Sequence, residues 1–462
     1  MTAEVITTAK GTGQRFDRRI VETNRIVDVQ LDHEGSKNRE RKIRIVLEPD
    51  EKDQEIIGFG GAFTDSSAGA LLQMSETLRI EIVRRYFDPV HGLGYNIGRV
   101  PIGACDFSRT YYSCDDHKND TKLSFFSIEE DKKGIIPLIR SARSYLQDPD
   151  DLYLYALPWS PPAWMKSNHD MCNGGKLKKR YYQTMASYIG HFVDAYRDCG
   201  ISIRAVTSQN EPDQVQKWPS CTFSAGEEAD FLTFLIPEMK RRGVRILCWD
   251  SNKDFVRERT EYLMKKSLVS EGIDGVSFHW YSGGLYAELE KIHKEYPKLT
   301  LCATEGCVVM PEHLDDWSVG EQYALDMIED LNHGTSLWMD WNMFLDENSG
   351  PKMFVNPCAA PIILDSSHQQ LKYMTSYYYI GHLSRYIKRG AIKIGARIID
   401  MHPEEVAEKT IRCCAFLNPD GNLCLIILNT GNNPADVIME AYGTQTSLTI
   451  VEHSISTVLL KS

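Results

Sequence analysis

The 462-residue sequence predicts an α/β fold in which a (β/α)8 TIM barrel is joined to a flanking β-sandwich formed from N- and C-terminal strands. Three observations carry this prediction. Eight apolar, β-branched or aromatic runs recur between residues 56 and 344, and helical patterns lie between most of them. Residues 1–55 are rich in strand-forming patterns, and residues 388–462 return to them. Repeated strand–helix units are typical of a parallel barrel, whereas strands without helices between them are typical of a sandwich.

The N-terminal segment, residues 1–55, is predicted to contribute strands to the β-sandwich. Its stretches NRIVDVQL (24–31) and RKIRIVLEP (41–49) are rich in β-branched residues that alternate with polar ones. This period of two is the pattern of a strand with one buried face. Both stretches are therefore predicted to be strands.

The central segment, residues 56–387, is predicted to be the barrel. Its eight strands are predicted in IIGFGGAFTD (56–65), YNIGRVPIGA (95–104), LYLYALPWS (152–160), IRAVTSQNE (203–211), VRILCWD (244–250), GVSFHWY (275–281), LTLCATEG (299–306) and TSLWMDWNMF (335–344). Helices are predicted in SETLRIEIVRRYF and YYQTMASYIGHFVDAY, whose apolar residues recur about every 3.6 positions. The aromatic stretch YMTSYYYIGHLSRYI is predicted to be the last barrel helix.

The C-terminal segment, residues 388–462, is predicted to complete the β-sandwich. TIRCCAFLNPDGNLCLIILNT (410–430) predicts a hairpin, because Asn-Pro-Asp-Gly-Asn between two apolar runs is typical turn chemistry. SLTIVEHSISTVLL (447–460) predicts two further strands.

The composition excludes several classes of protein. A formal net charge of −12 argues against a nucleic-acid partner, because a nucleic-acid surface needs an excess of basic residues. No run of about 18 apolar residues occurs, so no transmembrane segment is predicted. GFGGAF near residue 60 lacks the spacing of a dinucleotide-binding loop, and its glycines are predicted to permit close packing at the barrel entrance.

The cysteines and the N-terminus bear on the compartment. The 12 cysteines follow no zinc-site spacing, so we predict free or buried thiols and a reducing compartment. The N-terminal residues lack the apolar region of a secretory signal. We therefore expect a cytoplasmic protein, or a lysosomal or secreted one if a signal has been removed.

Polar and aromatic side chains collect at the predicted C-terminal ends of the barrel strands. They are Thr64 and Asp65, Asp106, Trp159, Asn210 and Glu211, His279, Trp280 and Tyr281, Thr304 and Glu305, and Asp340, Trp341 and Asn342. In barrel enzymes this end of the strands carries the active site. The sequence therefore predicts a site formed by residues that are distant along the chain.

Two of these residues, Glu211 and Glu305, predict the chemistry. They follow the fourth and seventh predicted strands, which lie across the mouth of an eight-stranded ring from each other. A pair of opposed carboxyl groups is what glycoside hydrolysis requires. One group protonates the leaving oxygen, and the other attacks the anomeric carbon or activates water.

Each candidate also has a structural interpretation. Asn-Glu-Pro at 210–212 can begin a helix, and Glu305 alone can be an ion-paired rim residue. The presence of both glutamates favours catalysis. A purely structural role also stays open for four more residues, namely a turn cap for Asp106, capping of the barrel core for Trp159 and Trp341, and a supporting position for His279.

Taken together, the motifs resemble the glucosylceramidases of glycoside hydrolase family 30. The resemblance covers nearly the full chain. It rests on GFGGAFTDSSA, GYNIGRVPIGACDFS, LPWSPPAWMKSN, AVTSQNEP, HWY, ATEGC, DWN and PII, which occur in the family's order. It implies a retaining β-glycosidase built from a (β/α)8 barrel and a β-sandwich, with no metal or organic cofactor.

The resemblance also implies roles for individual residues. Glu211 would be the general acid/base and Glu305 the nucleophile. The implied substrate contacts are Asn210 on the sugar 2-hydroxyl, Asp106, Trp159 and Trp341 on other hydroxyls and the ring face, Asn356 beside the sugar, and Tyr281 against the nucleophile. His279 is a further substrate-binding candidate.

The identity of the substrate stays open at this stage. The loops HDMCNGGKLKKR (169–180) and DQVQKWPSC (213–221) differ from those of the animal enzyme and border the aglycone side. We expect a small-molecule or lipid-linked β-glycoside as substrate, with glucosylceramide or a related β-glucoside as the leading candidate. The competing hypotheses are a β-xylosidase, a β-fucosidase, a β-1,6-glucanase or, remotely, a carbohydrate-binding protein without catalysis. The oligomeric state is not predicted.

Overall fold

The computed structural model of the protein describes residues 2–26, 43–399 and 410–461. The chain divides into two compact units, one made of Met1–Gly58, His313–Ser336 and Met374–Ser462 and the other of Phe59–Glu312 and Leu337–Tyr373. Residues 27–31 and 41–42 of the predicted N-terminal strands lie outside the described residues. The predicted domain boundaries at 55/56 and 387/388 stay a prediction.

The elements are numbered in chain order. The strands are β1 (Thr2–Ala9), β2 (Asp17–Glu22), β3 (Asn24–Arg25), β4 (Ile43–Glu55), β5 (Gly58–Ala62), β6 (Ile97–Pro101), β7 (Tyr153–Leu157), β8 (Ile203–Thr207), β9 (Arg245–Asn252), β10 (Gly275–His279), β11 (Thr300–Glu305), β12 (Thr335–Asn342), β13 (Phe344–Asp346), β14 (Ile362–Asp365), β15 (Gln370–Tyr373), β16 (Ile392–Ile399), β17 (Ile411–Leu417), β18 (Leu423–Asn429), β19 (Ala435–Ala441), β20 (Thr444–Ile450) and β21 (Ser454–Leu460). The α-helices are α1 (Asp65–Leu72), α2 (Glu76–Phe87), α3 (Glu129–Lys132), α4 (Ile135–Arg143), α5 (Tyr182–Asp198), α6 (Ala225–Lys240), α7 (Val256–Met264), α8 (Ser267–Ser270), α9 (Tyr286–Glu295), α10 (Trp317–Asn332) and α11 (Thr375–Ser384).

Strands β5 to β12 form the predicted parallel barrel. They close in the order β10-β11-β12-β5-β6-β7-β8-β9, so each strand lies beside its neighbour in the chain. Every residue of β6, β10 and β12 is buried, as expected for strands with side chains packed on both faces of the sheet. All eight predicted strands are present, and the (β/α)8 prediction is confirmed.

Seven of the eight barrel strands end before the runs that predicted them, and the difference bears on the site at β8. β8 stops at Thr207, so Asn210 and Glu211 lie beyond it and not at its last position. Asn210 and Glu211 donate their backbone N–H groups to the carbonyl oxygens of Pro158, which follows β7, and of Asp250 in β9, at 2.9 Å each. Both residues therefore stay bonded to the strands on either side of β8, but the left-handed φ of 45° at Glu211 does not continue an extended strand.

A small sheet that the sequence did not predict follows the eighth barrel strand. β13 pairs with β14 in parallel, and β14 pairs with β15 in antiparallel orientation. The segment between β13 and β14 carries Asn356. This sheet therefore anchors both ends of the segment that brings Asn356 to the barrel mouth.

The sheet unit contains strands from both ends of the chain, as predicted. Ten strands pair in the order β2-β1-β21-β18-β17-β16-β4-β19-β20-β3. Val5 of β1 belongs to one buried cluster with Ile45 of β4 and Leu448 of β20, although four strands separate β1 from β4 and six separate it from β20 in that order. The sheet therefore packs against itself around one apolar core, which confirms the β-sandwich.

The predicted C-terminal hairpin is β17–β18, in which Leu417 pairs with Leu423 across the Asn-Pro-Asp-Gly-Asn turn. The two strands predicted in 447–460 are β20 and β21, which pair with different partners. The predicted helices correspond to α2, α5 and α11, and α11 belongs to the same compact unit as the ten-stranded sheet. Among the described residues, no helix has the length and apolar character needed to cross a bilayer.

Candidate active site

A cavity of about 310 Å³ lies at the carboxyl ends of the barrel strands. Its lining residues are Asp106, Trp159, Asn210, Glu211, Gln214, Gln216, Trp218, Asn252, Tyr281, Glu305, Cys307, Val308, Val309, Trp341, Asn356 and Cys358. The cavity is large enough for a sugar unit. Every residue to which a catalytic or substrate-contact role was assigned lines the cavity except His279, which is fully buried behind it. The other strand-end residues do not line it, namely Thr64, Asp65, Trp280, Thr304, Asp340 and Asn342.

Glu305 ends β11 and faces the cavity. The register between β10 and β11 skips Thr304, so the bulge places Glu305 opposite His279. Tyr281 donates its hydroxyl to Glu305 Oε1 at 3.0 Å, and Arg99 Nη1 donates to Glu305 Oε2. Both carboxylate oxygens are thus held in place by donors, which fixes the direction of the carboxylate.

Glu211 lies across the cavity from this carboxylate. Its backbone has a φ of 45°, in the left-handed region that glutamate rarely adopts. Its Oε1 lies 3.6 Å from His279 Nδ1. One carboxylate oxygen of Glu211 and one of Glu305 lie within 4.8 Å of each other. The strained backbone and the hydrogen bond to Asp250 together direct Glu211 toward Glu305.

A buried charge network lies beneath the two glutamates. Arg99 Nη2 lies 3.2 Å from Asp250 Oδ1, and His279 Nε2 lies 2.8 Å from the same oxygen. Thr207 and Thr304 also donate to Asp250, at 2.8 and 2.7 Å. Asp250 is the bulge residue of β9, since the pairing with β10 passes from Trp249 directly to Ser251. The bulge turns its carboxylate into the network.

The network determines the protonation of its members. Burial alone would raise the pKa of Asp250, but the Arg99 charge and the hydrogen bonds of its other partners hold that pKa below the usual range. Burial alone would lower the pKa of His279, but Glu305 and the hydrogen bond to Asp250 raise it to about 9. His279 is therefore an imidazolium at neutral pH, a fixed cation beside the two glutamates.

Glu211, His279 and Glu305 each offer one metal-ligand atom within 4.8 Å of the others. A metal would need the neutral imidazole, but the raised pKa of His279 keeps both ring nitrogens protonated at neutral pH. Arg99 also occupies one oxygen of Glu305. Among the described residues this is the group best placed to hold a metal. The proton on His279 and the ion pair between Arg99 and Glu305 both oppose metal binding.

Two tryptophans form an apolar wall of the cavity. The rings of Trp159 and Trp341 stack with centroids 5.1 Å apart, and the Arg99 guanidinium lies 4.6 and 5.2 Å from them. Only 2% of the Trp159 surface and 1% of the Trp341 surface are exposed. They therefore shape the cavity and shield the Arg99 charge. Their positions agree with both roles considered from the sequence, a contact with the sugar and a cap on the barrel core.

Asp106 and Asn356 form a polar wall. Asn356 Nδ2 donates to Asp106 Oδ2 at 2.8 Å, while the buried Oδ1 of Asp106 has no hydrogen-bond partner. Burial, together with the negative charges of Glu305 and Glu211, raises the pKa of Asp106 to about 7. An unpaired buried oxygen at a cavity wall is suited to accept a hydrogen bond from a hydroxyl group of a ligand.

This raised pKa predicts a pH-dependent stability. The unfolded carboxyl ionises near 3.8 and the folded one near 7, so the folded state binds more protons between these values. Stability is therefore lost as the pH rises through this window. We expect Asp106→Asn to raise the free energy of unfolding by roughly 2 to 4 kcal/mol at pH 8 and to change it little at pH 4.

Denaturant unfolding of Asp106→Asn and wild type at both pH values measures this effect. Asp254→Asn, which changes an exposed carboxylate, is the matched control and is expected to show no comparable difference. Equal effects of Asp106→Asn at pH 4 and pH 8 would contradict a buried carboxyl that titrates near neutrality.

Asn210 has an amide whose orientation is determined by Arg99. Arg99 Nη2 donates to Asn210 Oδ1 at 2.6 Å, and a guanidinium can only donate. Asn210 lines the cavity, and this bond leaves its amide nitrogen available to donate to a ligand there. This is the geometry that a donor to a sugar hydroxyl needs.

The two loops that the sequence singled out pack against each other. Cys172 and Pro219 form an antiparallel bridge, and the buried Lys166 Nζ donates to the carbonyl oxygens of Met171 and Ser220 at 2.8 and 2.6 Å. Through this contact Gln214, Gln216 and Trp218 reach the cavity lining. The loops thus form one side of the cavity beyond Glu211.

Sequence reasoning missed Arg99, Asp250 and the loop residues of the lining. Arg99 is an arginine inside an apolar strand run, which is a signal that could have found it. Asp250 ends VRILCWD, the one barrel strand from which no candidate was taken. The loop residues carry no such signal, because their approach to the cavity depends on contacts between distant segments.

Two family models match the chain. The Glycosyl hydrolase family 30 TIM-barrel domain matches residues 56–387, and the Glycosyl hydrolase family 30 beta sandwich domain matches residues 395–458. The first of these alone covers more than half of the sequence. The matched domains are of the two kinds that the fold contains.

Known proteins of similar sequence and structure agree with these matches. The lysosomal acid glucosylceramidase of Mus musculus is 33% identical over 405 residues, which are 83% of this chain and 77% of the mouse protein. SrfJ from Salmonella typhimurium superposes with a TM-score of 0.91 at 30% identity, and both chains are fully covered. The endo-β1,6-glucanase BT3312 superposes with a TM-score of 0.86 at 26% identity, again with full coverage of both.

Proposed function

Because this chain belongs to glycosyl hydrolase family 30, we propose that it is a retaining β-glucosidase that releases glucose from glucosylceramide or a related β-glucoside. The observation that carries the mechanism is the approach of the Glu211 and Glu305 oxygens to within 4.8 Å. Retaining glycosidases hold their two carboxyl groups about 5 to 5.5 Å apart, whereas inverting enzymes leave room for a water between them.

In the proposed first step, Glu305 attacks the anomeric carbon while Glu211 gives a proton to the leaving oxygen. Arg99 and Tyr281 donate to different oxygens of Glu305 and hold it for attack. The bond from the anomeric carbon to the leaving group breaks, and a glycosyl ester forms on Glu305. The His279 cation stabilises the negative charge that the glutamates share before attack.

In the second step, Glu211 accepts a proton from water, which attacks the anomeric carbon and releases Glu305. Two inversions leave the configuration unchanged. The Asn210 amide would donate a hydrogen bond to the sugar 2-hydroxyl, and the unpaired oxygen of Asp106 would accept a hydrogen bond from another sugar hydroxyl. These contacts strengthen as positive charge develops on the sugar ring.

Apolar residues at the cavity mouth support a lipid-linked leaving group. Val309 lines the cavity and is 68% exposed, and Tyr281 lines it and is 42% exposed. Exposed apolar side chains around a polar cavity fit an aglycone that is itself apolar. The similarity to the mouse lysosomal acid glucosylceramidase supports the same substrate.

A β-1,6-glucanase is the second candidate. Gln214, Gln216 and Trp218 line the same cavity beyond Glu211, where a further sugar unit would find amide donors and an aromatic face. The similarity to the endo-β1,6-glucanase BT3312 supports this second candidate. β-Xylosidase and β-fucosidase activities differ only in the sugar substituents that the cavity accepts.

A hydrolysis panel separates these candidates. It compares aryl β-glucoside, aryl β-xyloside, aryl β-fucoside, a β-1,6-glucan and detergent-dispersed glucosylceramide, with Glu305→Gln as control. We expect turnover of the aryl β-glucoside and glucosylceramide. Turnover of the glucan alone would favour the second candidate. A panel without turnover would leave an enzyme with a narrower substrate or a carbohydrate-binding protein.

A further inference from the structure

Two cysteines lie side by side in the wall of the cavity. All 12 cysteines of the chain are free, and Cys307 Sγ lies 2.9 Å from Cys358 Sγ. Other sulfur contacts in the structure are longer, such as 3.8 Å from Cys302 Sγ to the Thr300 oxygen. Both cysteines line the cavity and each is 7% exposed. A small solute that enters the cavity can therefore reach them.

The backbone around the pair is already aligned. Val309 and Cys358 form an antiparallel bridge, Met310 donates its N–H to Pro357 at 2.7 Å, and Ala359 donates to Val308 at 2.8 Å. These hydrogen bonds hold the segment after Glu305 beside the segment that carries Asn356. Closing a sulfur–sulfur bond of about 2.05 Å therefore requires only a local adjustment.

Each sulfur is also one contact away from a predicted site residue. The Tyr281 hydroxyl lies 3.4 Å from Cys307 Sγ and donates to Glu305. Cys358 Sγ donates to Asn356 Oδ1 at 3.3 Å, and Asn356 in turn donates to Asp106. A change at the sulfur pair therefore reaches both the predicted nucleophile and the polar wall.

We propose that Cys307 and Cys358 are an oxidation site at which a hydroperoxide forms a reversible disulfide that lowers the activity of the adjacent site. One thiol releases its proton and attacks a peroxide oxygen as the thiolate, so that a sulfur–oxygen bond forms and the O–O bond breaks. The sulfur is oxidised to a sulfenic acid, and the departing hydroxide takes up the released proton to become water. The second thiol then attacks that sulfur and displaces the oxygen as a second water. In sum, two thiols and one hydrogen peroxide give one disulfide and two waters, and a dithiol reverses the change.

The loss of activity follows from the contacts of the two sulfurs. The disulfide has no S–H, so Asn356 Oδ1 loses its donor and Asn356 is less firmly held against Asp106. Movement of Cys307 toward Cys358 also shifts the partner of Tyr281, which positions Glu305. A misplacement of about 1 Å at such groups can lower turnover by about 10²-fold. We expect oxidation to lower kcat/KM by at least about fivefold.

The test treats the purified full chain with hydrogen peroxide and then with dithiothreitol. Peptide mapping is expected to find Cys307 linked to Cys358 after peroxide and not after reduction. Activity is expected to fall and recover in parallel. Recovery with dithiothreitol separates this site from methionine oxidation, which dithiothreitol does not reverse.

Variants locate the effect. Cys358→Ser keeps a donor for Asn356 but cannot form the disulfide, so its activity after peroxide should equal its own activity before. Cys307→Ser should behave in the same way. Cys199→Ser, which removes a half-buried cysteine at the end of α5, should respond like wild type.

Two results would overturn the proposal. One is the absence of a Cys307–Cys358 linkage after peroxide, and the other is a linkage that leaves activity unchanged. The proposal rests on the proposed function for its activity measurement only. Peptide mapping does not need turnover. A hydrolysis panel without turnover would therefore count against the proposed function, whereas an absent Cys307–Cys358 linkage would count against the oxidation site.

Discussion

Glu305→Gln is expected to lower kcat on an aryl β-glucoside by about 10⁴-fold or more while the sugar still binds. Glutamine is nearly the same size as glutamate and can still accept a hydrogen bond from the Tyr281 hydroxyl, but its amide oxygen does not form a glycosyl ester. Asp250 continues to neutralise Arg99 in the variant, which limits the loss of stability. Steady-state kinetics and binding of a sugar analogue to the variant measure both halves of the expectation.

Glu228→Gln is the matched control for this prediction. Glu228 is also a buried carboxylate, and its Oε2 lies 2.8 Å from Arg259 Nη1. It does not line the cavity. We expect this variant to lose stability but to keep kcat within about tenfold of wild type. If Glu305→Gln also stayed within tenfold, Glu305 would not be the nucleophile.

Glu211→Ala is expected to lower turnover of a natural β-glucoside by about 10² to 10⁴-fold and to spare the first step with an activated aryl leaving group. Such a leaving group departs without a proton, whereas water still needs a base in the second step. Azide needs no base, and the His279 cation lies beside the space that Glu211 vacates. Added azide should therefore raise turnover about tenfold or more and form a β-glycosyl azide.

The anomeric configuration of the azide product is the decisive measurement. A β product requires attack on a glycosyl ester of Glu305, so it reports both residues at once. Glu305→Ala with azide is the control, because direct displacement on the opposite face should give the α product from an activated β-glucoside. An α product or no product from Glu211→Ala would contradict its role as acid/base.

The barrel strands were predictable because each depends on a short local pattern. Runs such as YNIGRVPIGA are apolar on both faces, which is what a strand inside a barrel needs. The sheet β13–β15 was not predicted, and strands β1 and β2 were not placed individually within the N-terminal segment that was predicted to contribute strands. β1 also pairs with β21 at the other end of the chain, and β13 pairs with β14 across residues 347–361, so part of what holds these strands is not visible in the local sequence.

Most predicted site residues were found by a single geometric rule, that the ends of barrel strands converge. The rule applies to Asp106, Glu211 and Glu305 even though the fourth strand ends before Glu211. It did not find Arg99, which lies within a strand. It also could not give the contacts of Gln216 and Trp218, since loops are positioned by their neighbours and not by strand geometry.

The sequence by itself determined the fold class and the family and singled out the two glutamates as candidates, because periodicity and strand-end positions are properties of short segments. The tertiary structure alone decided the separation of the two carboxylates, the raised pKa of His279 and the contact between Cys307 and Cys358. Electrostatic energies depend on distances and burial across the barrel. Those quantities arise only when strands distant in the chain close into one ring.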